Sequence, residues 1–362
     1  MTADDFQQVA RQQLVPRLRE LQQVAEQYGV PFLATVFDEQ GQRVLHAAYY
    51  LPSRCAEAAR RGVAVQDMAG VRGQGHVRRA LEVAAAGGHS LLLVGPKGAG
   101  KQFLASTLPS ILPPQVEGQA AFPCQYRAPH HLVGVAALIG GGHPVRPGEV
   151  TLAHGGVLYL EDLPAFAPRV LAALSRVVEE RVATISQAQG TTVFPASFQL
   201  VGSMAPCQCG FYTDSVRACT CRSEDITRYQ QRVAGVVSAC FQMSVEVPRV
   251  DYDQLEKSRA GEGSWRVCQR VQAARLRQQT RLAELEIGCN AHIPAGEVER
   301  LCAQDAPAQR LFTTAVQQLH LAAQEAYRLL MVARTIADLD ASDAILAHHV
   351  AEAVQYRPRV PR

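Results

Sequence analysis

A short glycine-rich segment follows an apolar run in the first third of the sequence. The run Leu91–Val94 has the composition of a buried parallel strand, and residues 103–112 continue at helical spacing. A glycine-rich turn between a strand and a helix directs backbone N–H groups and a helix dipole at phosphate. The residues of this candidate phosphate-binding loop (the P-loop) are Gly95, Pro96, Lys97, Gly98, Ala99, Gly100, Lys101 and Gln102.

The end of the P-loop predicts nucleotide binding with an altered metal site. Lys101 is placed to contact the β- and γ-phosphates of a nucleotide. The residue after this lysine is serine or threonine in the P-loop pattern, because its hydroxyl ligates Mg²⁺. Here it is Gln102. We therefore expect ATP or ADP as the cofactor, at a site where Mg²⁺ lacks its usual protein ligand.

Four of the ten cysteines form two C-x-C pairs separated by nine residues. This spacing can bring four thiolates to one tetrahedral zinc ion. The alternative is four reduced thiols in an exposed loop. We predict a structural zinc site in the loop 206–222. The spacing suits zinc, and in the cytosol cysteines are more often thiols or metal ligands than disulfides. The candidate ligands are Cys207, Cys209, Cys219 and Cys221.

Composition excludes some classes of protein and leaves others open. The chain has 362 residues, of which 48% are apolar and 19% charged, as expected for a folded globular protein of two or three domains. A net charge of +3 is too small to indicate a nucleic-acid or membrane partner. No apolar run approaches the length of about 18 residues that a membrane span requires. The acidic N-terminus does not resemble a signal peptide, so we expect a cytoplasmic protein.

The order of the predicted elements indicates an α/β fold. Residues 3–28 predict an amphipathic helix, and residues 30–50 predict a β-hairpin. Strand-like runs then alternate with helical segments, as in doubly wound α/β folds. From Ser264 onward the apolar spacing is helical, and Pro294 separates two of these helices.

Several segments resemble, in the same order, the ComM/YifB group of magnesium-chelatase-like AAA+ proteins. The resemblance implies a P-loop domain with a five-stranded parallel αβα sheet at residues 65–250, containing the cysteine loop. A helical lid at 251–362 follows it, and a small α+β appendage at 1–64 precedes it. ComM-like proteins also carry cysteines at the four positions of the predicted zinc site. The segments are 65–114, 126–131, 137–142, 146–150, 152–160, 194–200, 332–339 and 349–357.

The resemblance also implies where ATP hydrolysis is carried out, and there the sequence departs from the family. The family has Asp-Glu after the third strand, as a metal ligand and a base, whereas this chain has Glu161-Asp162. Asp162 is one methylene shorter than the usual base, which must come within about 2.6–3.2 Å of its proton. The alternative is that the pair only caps the strand. Ala205 stands where the family has asparagine, Cys240 at the arginine-finger position, and Gln324 at a phosphate-contacting arginine of the lid.

These departures lead to three hypotheses about function. The first is a subunit that binds ATP or ADP with weak or no hydrolysis and acts as a scaffold or regulator. It would belong to a homo- or hetero-oligomeric AAA+ ring, possibly beside an active paralogue. The second is an active motor that remodels DNA, as a ComM-like helicase would, although the charge does not support DNA binding. The third is an interaction module without nucleotide. Whether the chain is an ATP hydrolase stays open at this point.

Overall fold

The computed structural model describes most of the chain beyond residue 64 and two strands before it. By internal contacts the chain forms two compact units, Met1–Ala64 and Val65–Arg362. Every helix among the described residues is too short or too polar to cross a membrane. The described ranges are 65–113, 126–143, 145–187, 190–250 and 261–358, with the backbone of residues 32–37 and 43–49.

The first unit contains an antiparallel pair of strands, β1 (Phe32–Phe37) and β2 (Arg43–Tyr49). Phe32 pairs with Tyr49, and the register shifts between Val36 and Phe37. The pair confirms the predicted hairpin. The helix predicted over residues 3–28 and the turn between the two strands lie outside the described residues.

The second unit contains a five-stranded parallel sheet, as predicted. The sheet has the order β11-β3-β10-β7-β4, and each neighbouring pair is parallel. Two antiparallel pairs, β5 with β6 and β8 with β9, lie outside it. The strands are β3 (Leu91–Val94), β4 (Tyr126–Arg127), β5 (Gly140–Gly141), β6 (Arg146–Pro147), β7 (Val157–Leu160), β8 (Val182–Gln187), β9 (Gly190–Pro195), β10 (Gln199–Met204) and β11 (Met243–Glu246).

The inner strands are buried on both faces, which explains their nearly continuous apolar sequences. All residues of β7 and β10 are buried. Gly202 of β10 has no room for a side chain, because a Cβ there would lie 2.6 Å from Cζ of Phe241. The ring of Phe241 therefore packs on the centre of the sheet. It belongs to a core to which the helices at residues 168–180 and 223–240 also contribute.

Helices flank the sheet and form the C-terminal part of the unit. A helix ends just before the P-loop strand, at Gly87, and the helical region begins at Ser264 as expected. The helices are α1 (Gly75–Gly87), α2 (Lys101–Thr107), α3 (Val135–Ile139), α4 (Glu149–Leu152), α5 (Pro168–Glu180), α6 (Ser223–Cys240), α7 (Ser264–Leu282), α8 (Val298–Leu301), α9 (Ala306–Gln318), α10 (Ala323–Leu339) and α11 (Ala347–Gln355).

The C-terminal helices pack on the helix that precedes the P-loop strand. Both α7 and α10 contact α1, and α10 also contacts α11. His89, between α1 and β3, joins the two regions, because its Nε2 lies 2.7 Å from Thr335 Oγ1 and its Nδ1 lies 2.9 Å from Gln242 Oε1. Burial lowers the pKa of His89 to about 4, so the imidazole is neutral near pH 7. His89 thus acts as a structural hydrogen-bonding residue.

Asp338 lies at the centre of a buried polar network between α7 and α10. Its carboxylate accepts hydrogen bonds from Arg281 at 2.7 and 2.8 Å and from Asn290 Nδ2 at 2.8 Å. Arg334 Nη2 lies 3.2 Å from the same carboxylate, and both side chains are almost completely buried. Charges removed from water in this way are stable only while they remain paired.

We expect Asp338→Ala to destabilise the protein strongly, by about 3–5 kcal/mol, because it leaves buried guanidinium groups without their counter-charge. Asp343→Ala is the matched control, since the side chain of Asp343 is 99% exposed although it also pairs with an arginine, Arg277. The control is expected to cost less than about 1 kcal/mol. Urea unfolding followed by circular dichroism measures both variants, and equal losses would contradict the assigned role of the network.

Candidate phosphate-binding loop and cysteine cluster

The P-loop connects β3 to α2 and begins at a glycine with no free space around it. The N–H of Gly95 donates to the carbonyl of Met204 at the end of β10, at 3.2 Å. A Cβ at Gly95 would lie 2.1 Å from the carbonyl oxygen of Val247, so no larger residue fits. Gly98 and Gly100 both have φ of +83°, a backbone conformation that favours glycine. The three glycines are therefore required by the path of the loop.

Lys101 folds back over the loop that precedes it. Its Nζ donates to the carbonyl oxygens of Gly95 at 2.7 Å and Pro96 at 2.8 Å. Burial lowers the pKa of Lys101, and the charges of Asp162 and Glu161 act in the opposite direction. The ammonium group thus lies between the loop and the acidic pair. Gln102 is exposed on the first turn of α2.

The acidic pair follows β7 directly, as the sequence indicated, and both side chains are exposed. Asp162 has a left-handed backbone conformation, with φ of +54°, which aspartate tolerates better than most residues. Its N–H lies 3.4 Å from Ser203 Oγ, which in turn lies 2.8 Å from the hydroxyl of Tyr159. A buried hydroxyl pair therefore connects the acidic pair to β10.

The four predicted cysteines form one cluster after β10. The Sγ atom of Cys207 lies 3.3 Å from that of Cys209 and 3.7 Å from that of Cys219, and the last two are 3.5 Å apart. All four ligand atoms lie within 4.8 Å of one another. Zn–S bonds of about 2.3 Å in a tetrahedron place sulfur atoms about 3.8 Å apart. Backbone N–H groups of Thr220 and Phe211 lower the pKa of Cys209 to about 5, whereas burial and the neighbouring thiols raise the pKa of Cys219. The cluster can therefore bind a metal ion.

The cysteine loop contacts the P-loop and the segment that follows β11. The carbonyl of Gly210 accepts a hydrogen bond from the N–H of Lys97 at 3.2 Å. The buried carboxylate of Asp214 accepts from Val216 N–H at 2.8 Å and from Arg249 Nη1 at 3.1 Å, just beyond β11. No local sequence pattern predicts the contact of Gly210 with Lys97 or that of Asp214 with Arg249, because these partners are far apart in the chain.

Comparison with known proteins agrees with this arrangement of sheet, loop and lid. The family model described as magnesium chelatase, subunit ChlI, matches residues 67–123 and 117–255. The model for the C-terminal region of the same subunit matches residues 261–357. The chain belongs to the magnesium chelatase family. Its AAA+ fold and the predicted relation to the ComM/YifB group are thereby confirmed.

Curated relatives of the chain come from several bacteria. YifB of Escherichia coli strain K12 is 37% identical over 80% of this chain, and competence protein ComM of Haemophilus influenzae is 36% identical over 81%. Protein Mb2921c of Mycobacterium bovis is 30% identical over 88% of this chain and 67% of its own length. The chain spans about 60% of the length of the YifB and ComM proteins.

The arginine-finger position lies at the amino ends of the parallel strands, whereas the P-loop lies at their carboxyl ends. Cys240 ends α6, and β11 then runs parallel to β3, with Met243 beside Leu91 and Glu246 beside Val94. The P-loop follows Val94, at the carboxyl end of β3. The end of α6 precedes β11 and therefore lies at the amino ends of the strands. The thiol itself is buried, with 3% exposure, and contacts Ser175 Oγ at 3.1 Å. The thiol at the finger position is therefore packed inside its own chain.

The lid position Gln324 lies at this same end of the strands. It is exposed one turn before Arg328 on α10, so both residues are on one face of the helix. The guanidinium of Arg328 donates to the carbonyls of Ser238 and Ala239, which end α6. Gln324 is thus near the finger position, at the end of the strands opposite the P-loop. Sequence alone did not indicate this proximity.

We expect Cys240→Arg to destabilise the protein by about 1–3 kcal/mol, because a larger charged side chain must enter a packed core. Gln231→Arg, at an exposed position of the same helix, is the control and is expected to change stability by less than about 0.5 kcal/mol. Denaturant midpoints of the two variants provide the measurement. A Cys240→Arg variant as stable as the unmodified protein would show that the finger position is open to solvent.

Proposed function

We propose that the chain binds ATP or ADP in the P-loop, hydrolyses it weakly or not at all, and acts as a scaffold or regulatory subunit of a ring assembly. The observation that carries this proposal is a contrast within one site. The loop has the glycine conformations of a phosphate-binding turn, and the ammonium group of Lys101 lies against the carbonyls of Gly95 and Pro96. The groups that the family uses for hydrolysis are altered at Gln102, Asp162, Ala205, Cys240 and Gln324.

Binding requires only the loop and its lysine. Lys101 would exchange its two carbonyl partners for the β- and γ-phosphates, and the backbone N–H groups around Gly98 and Gly100 would bind the phosphate oxygens. A hydroxyl at position 102 would add a Mg²⁺ ligand, and Gln102 has no hydroxyl. Nucleotide affinity is therefore expected to depend little on Mg²⁺.

Hydrolysis requires further groups in the same pocket. A base must contact the attacking water, and Asp162 reaches one methylene less far than glutamate would. Ala205 follows β10 beside this pocket and has neither a donor nor an acceptor in its side chain. The water would then be held by fewer groups than in an active enzyme of this fold, and turnover would fall accordingly.

The remaining groups would act on the nucleotide of a neighbouring subunit. Cys240 and Gln324 lie at the end of the strands opposite the chain's own P-loop, so in a ring this end would face the next pocket. An arginine finger is worth about 10³–10⁵ in rate, and neither side chain carries its charge. Arg328 is nearby but already donates to carbonyls of its own chain. A ring of identical chains would lack this source of catalysis.

We propose that the cysteine cluster holds a structural zinc ion, bound by Cys207, Cys209, Cys219 and Cys221. The four-sulfur donor set and the sulfur–sulfur distances suit zinc in tetrahedral coordination. Its function would be to close the cysteine loop in the shape that contacts the P-loop. Such a metal contributes directly to folding, because the loop has few apolar residues of its own.

We predict that the purified protein releases phosphate from ATP no faster than background while still binding ATP and ADP. Lys101→Ala should abolish nucleotide binding, because it removes the charge that binds the phosphates. Calorimetric titration measures binding, and a coupled phosphate assay measures turnover. Turnover of about 1 s⁻¹ or more that disappears in Lys101→Ala would instead favour the active motor. Absence of nucleotide binding would favour an interaction module.

Metal analysis of the purified protein should find about one zinc ion per chain. Cys219→Ser should lower the zinc content and expose the loop to proteolysis, because it removes one of four ligands. Cys268→Ser is the matched control, since this half-buried thiol lies outside the cluster, 3.8 Å from the carbonyl of Leu112. A metal-free protein with four reactive thiols would contradict the zinc site.

A further inference from the structure

Lys97 is a second lysine in the P-loop, and its charge has no ion-pair partner among the described residues. Of the 36 lysines and arginines in the sequence, three are lysines, and two of these, Lys97 and Lys101, lie within five positions of each other. Lys97 is exposed at the turn of the loop, directly before Gly98. The fold therefore leaves the ammonium group of Lys97 accessible to a ligand.

The cysteine loop fixes the direction of the Lys97 side chain. Its backbone N–H donates to the carbonyl of Gly210 at 3.2 Å. A Cβ at Gly210 would lie 2.7 Å from Cγ, 2.9 Å from Cδ and 3.0 Å from Cε of Lys97. The whole aliphatic stem of Lys97 thus lies across Gly210. The φ of +90° at Gly210 also favours glycine at this contact.

The two lysines of the loop are close enough to repel each other. Burial is the main cause of the lowered pKa of Lys101, the charges of Asp162 and Glu161 oppose it, and the positive charge of Lys97 adds to the effect of burial. Two like charges in one loop destabilise each other, and an anion placed between them relieves that repulsion. The arrangement thus favours a ligand with several negative charges, such as a di- or triphosphate.

We propose that Lys97 binds the phosphates of the nucleotide and supplies the positive charge that Mg²⁺ supplies in other P-loops. The inference rests on the proposed nucleotide binding and extends it to a class of ligand, a nucleoside di- or triphosphate without a divalent ion. Gln102 offers no hydroxyl for the metal. Lys97, held by Gly210, provides a cation in the same loop.

The test measures ATP affinity of the full chain by calorimetry, in EDTA and in Mg²⁺. Lys97→Gln should weaken ATP binding in EDTA by about tenfold or more, the effect of losing a charge-assisted hydrogen bond. Lys97→Arg should retain most of the affinity. Arg310→Gln is the matched control, because it removes the same charge from an exposed position on α9, and it should bind ATP as the unmodified protein does.

A second variant tests the contact that directs the side chain. Gly210→Ala should also weaken ATP binding, because its methyl group displaces the stem of Lys97. Combined with Lys97→Gln, it should cause no further loss, since both changes remove one interaction. Zinc content is measured for each variant, so that an effect of Gly210→Ala on the metal site is separated from its effect on Lys97.

The outcomes separate this inference from the proposed function. If the unmodified protein binds ATP and Lys97→Gln binds it equally well, the role of Lys97 is overturned while nucleotide binding stands. Equal losses in Lys97→Gln and Arg310→Gln would also overturn it, because the effect would then be one of net charge. If the unmodified protein binds no ATP, the proposed function itself fails.

Discussion

The close approach of three chain segments at Gly95 is the constraint on which the rest of the site depends. The N–H of Gly95 bonds to the end of β10, and the carbonyl of Val247, after β11, occupies the space of a side chain. The loop must therefore leave the sheet between its two neighbouring strands. This exit fixes Lys101 beside the acidic pair and brings the cysteine loop, which follows β10, against Lys97. Sheet order thus determines which side chains meet.

The same topology places the family's catalytic groups at two opposite ends of the parallel strands. The P-loop, the acidic pair and Ala205 follow the carboxyl ends of β3, β7 and β10, as expected for ligand sites of parallel sheets. Cys240 comes before β11 and lies at the opposite end, where α10 also begins. A single chain therefore cannot assemble all of these groups around one nucleotide. In the proposed ring assembly, another subunit would complete the site, whichever residues stand at that end of the strands.

The sequence predicted the P-loop and the cysteine cluster from local patterns, and its resemblance to the family implied the five-stranded parallel sheet and the acidic pair. Parallel strands buried on both faces have apolar runs, and a C-x-C pair brings two thiols together within a few residues. It did not predict the burial of Cys240, the approach of Arg328 to α6, or the contact between Lys97 and Gly210. These depend on which helix faces pack together and on how distant loops close. The spacing of apolar residues identifies the buried face of a helix but not the element that packs against that face.

Retention of a motif has different causes at different positions of the P-loop. Gly95 is required by packing, and Gly98 and Gly100 by backbone conformation, whether or not a nucleotide binds. Lys101 also stabilises the loop through two carbonyls. By contrast, Gln102, Glu161, Asp162 and Gln324 are exposed, so the fold tolerates many residues there. The charge of Lys97 differs from both groups, because neither packing nor backbone geometry requires a cation beside Lys101. A polyphosphate ligand accounts for that charge, and Lys97→Gln tests this role while it leaves the glycines, and with them the path of the loop, unchanged.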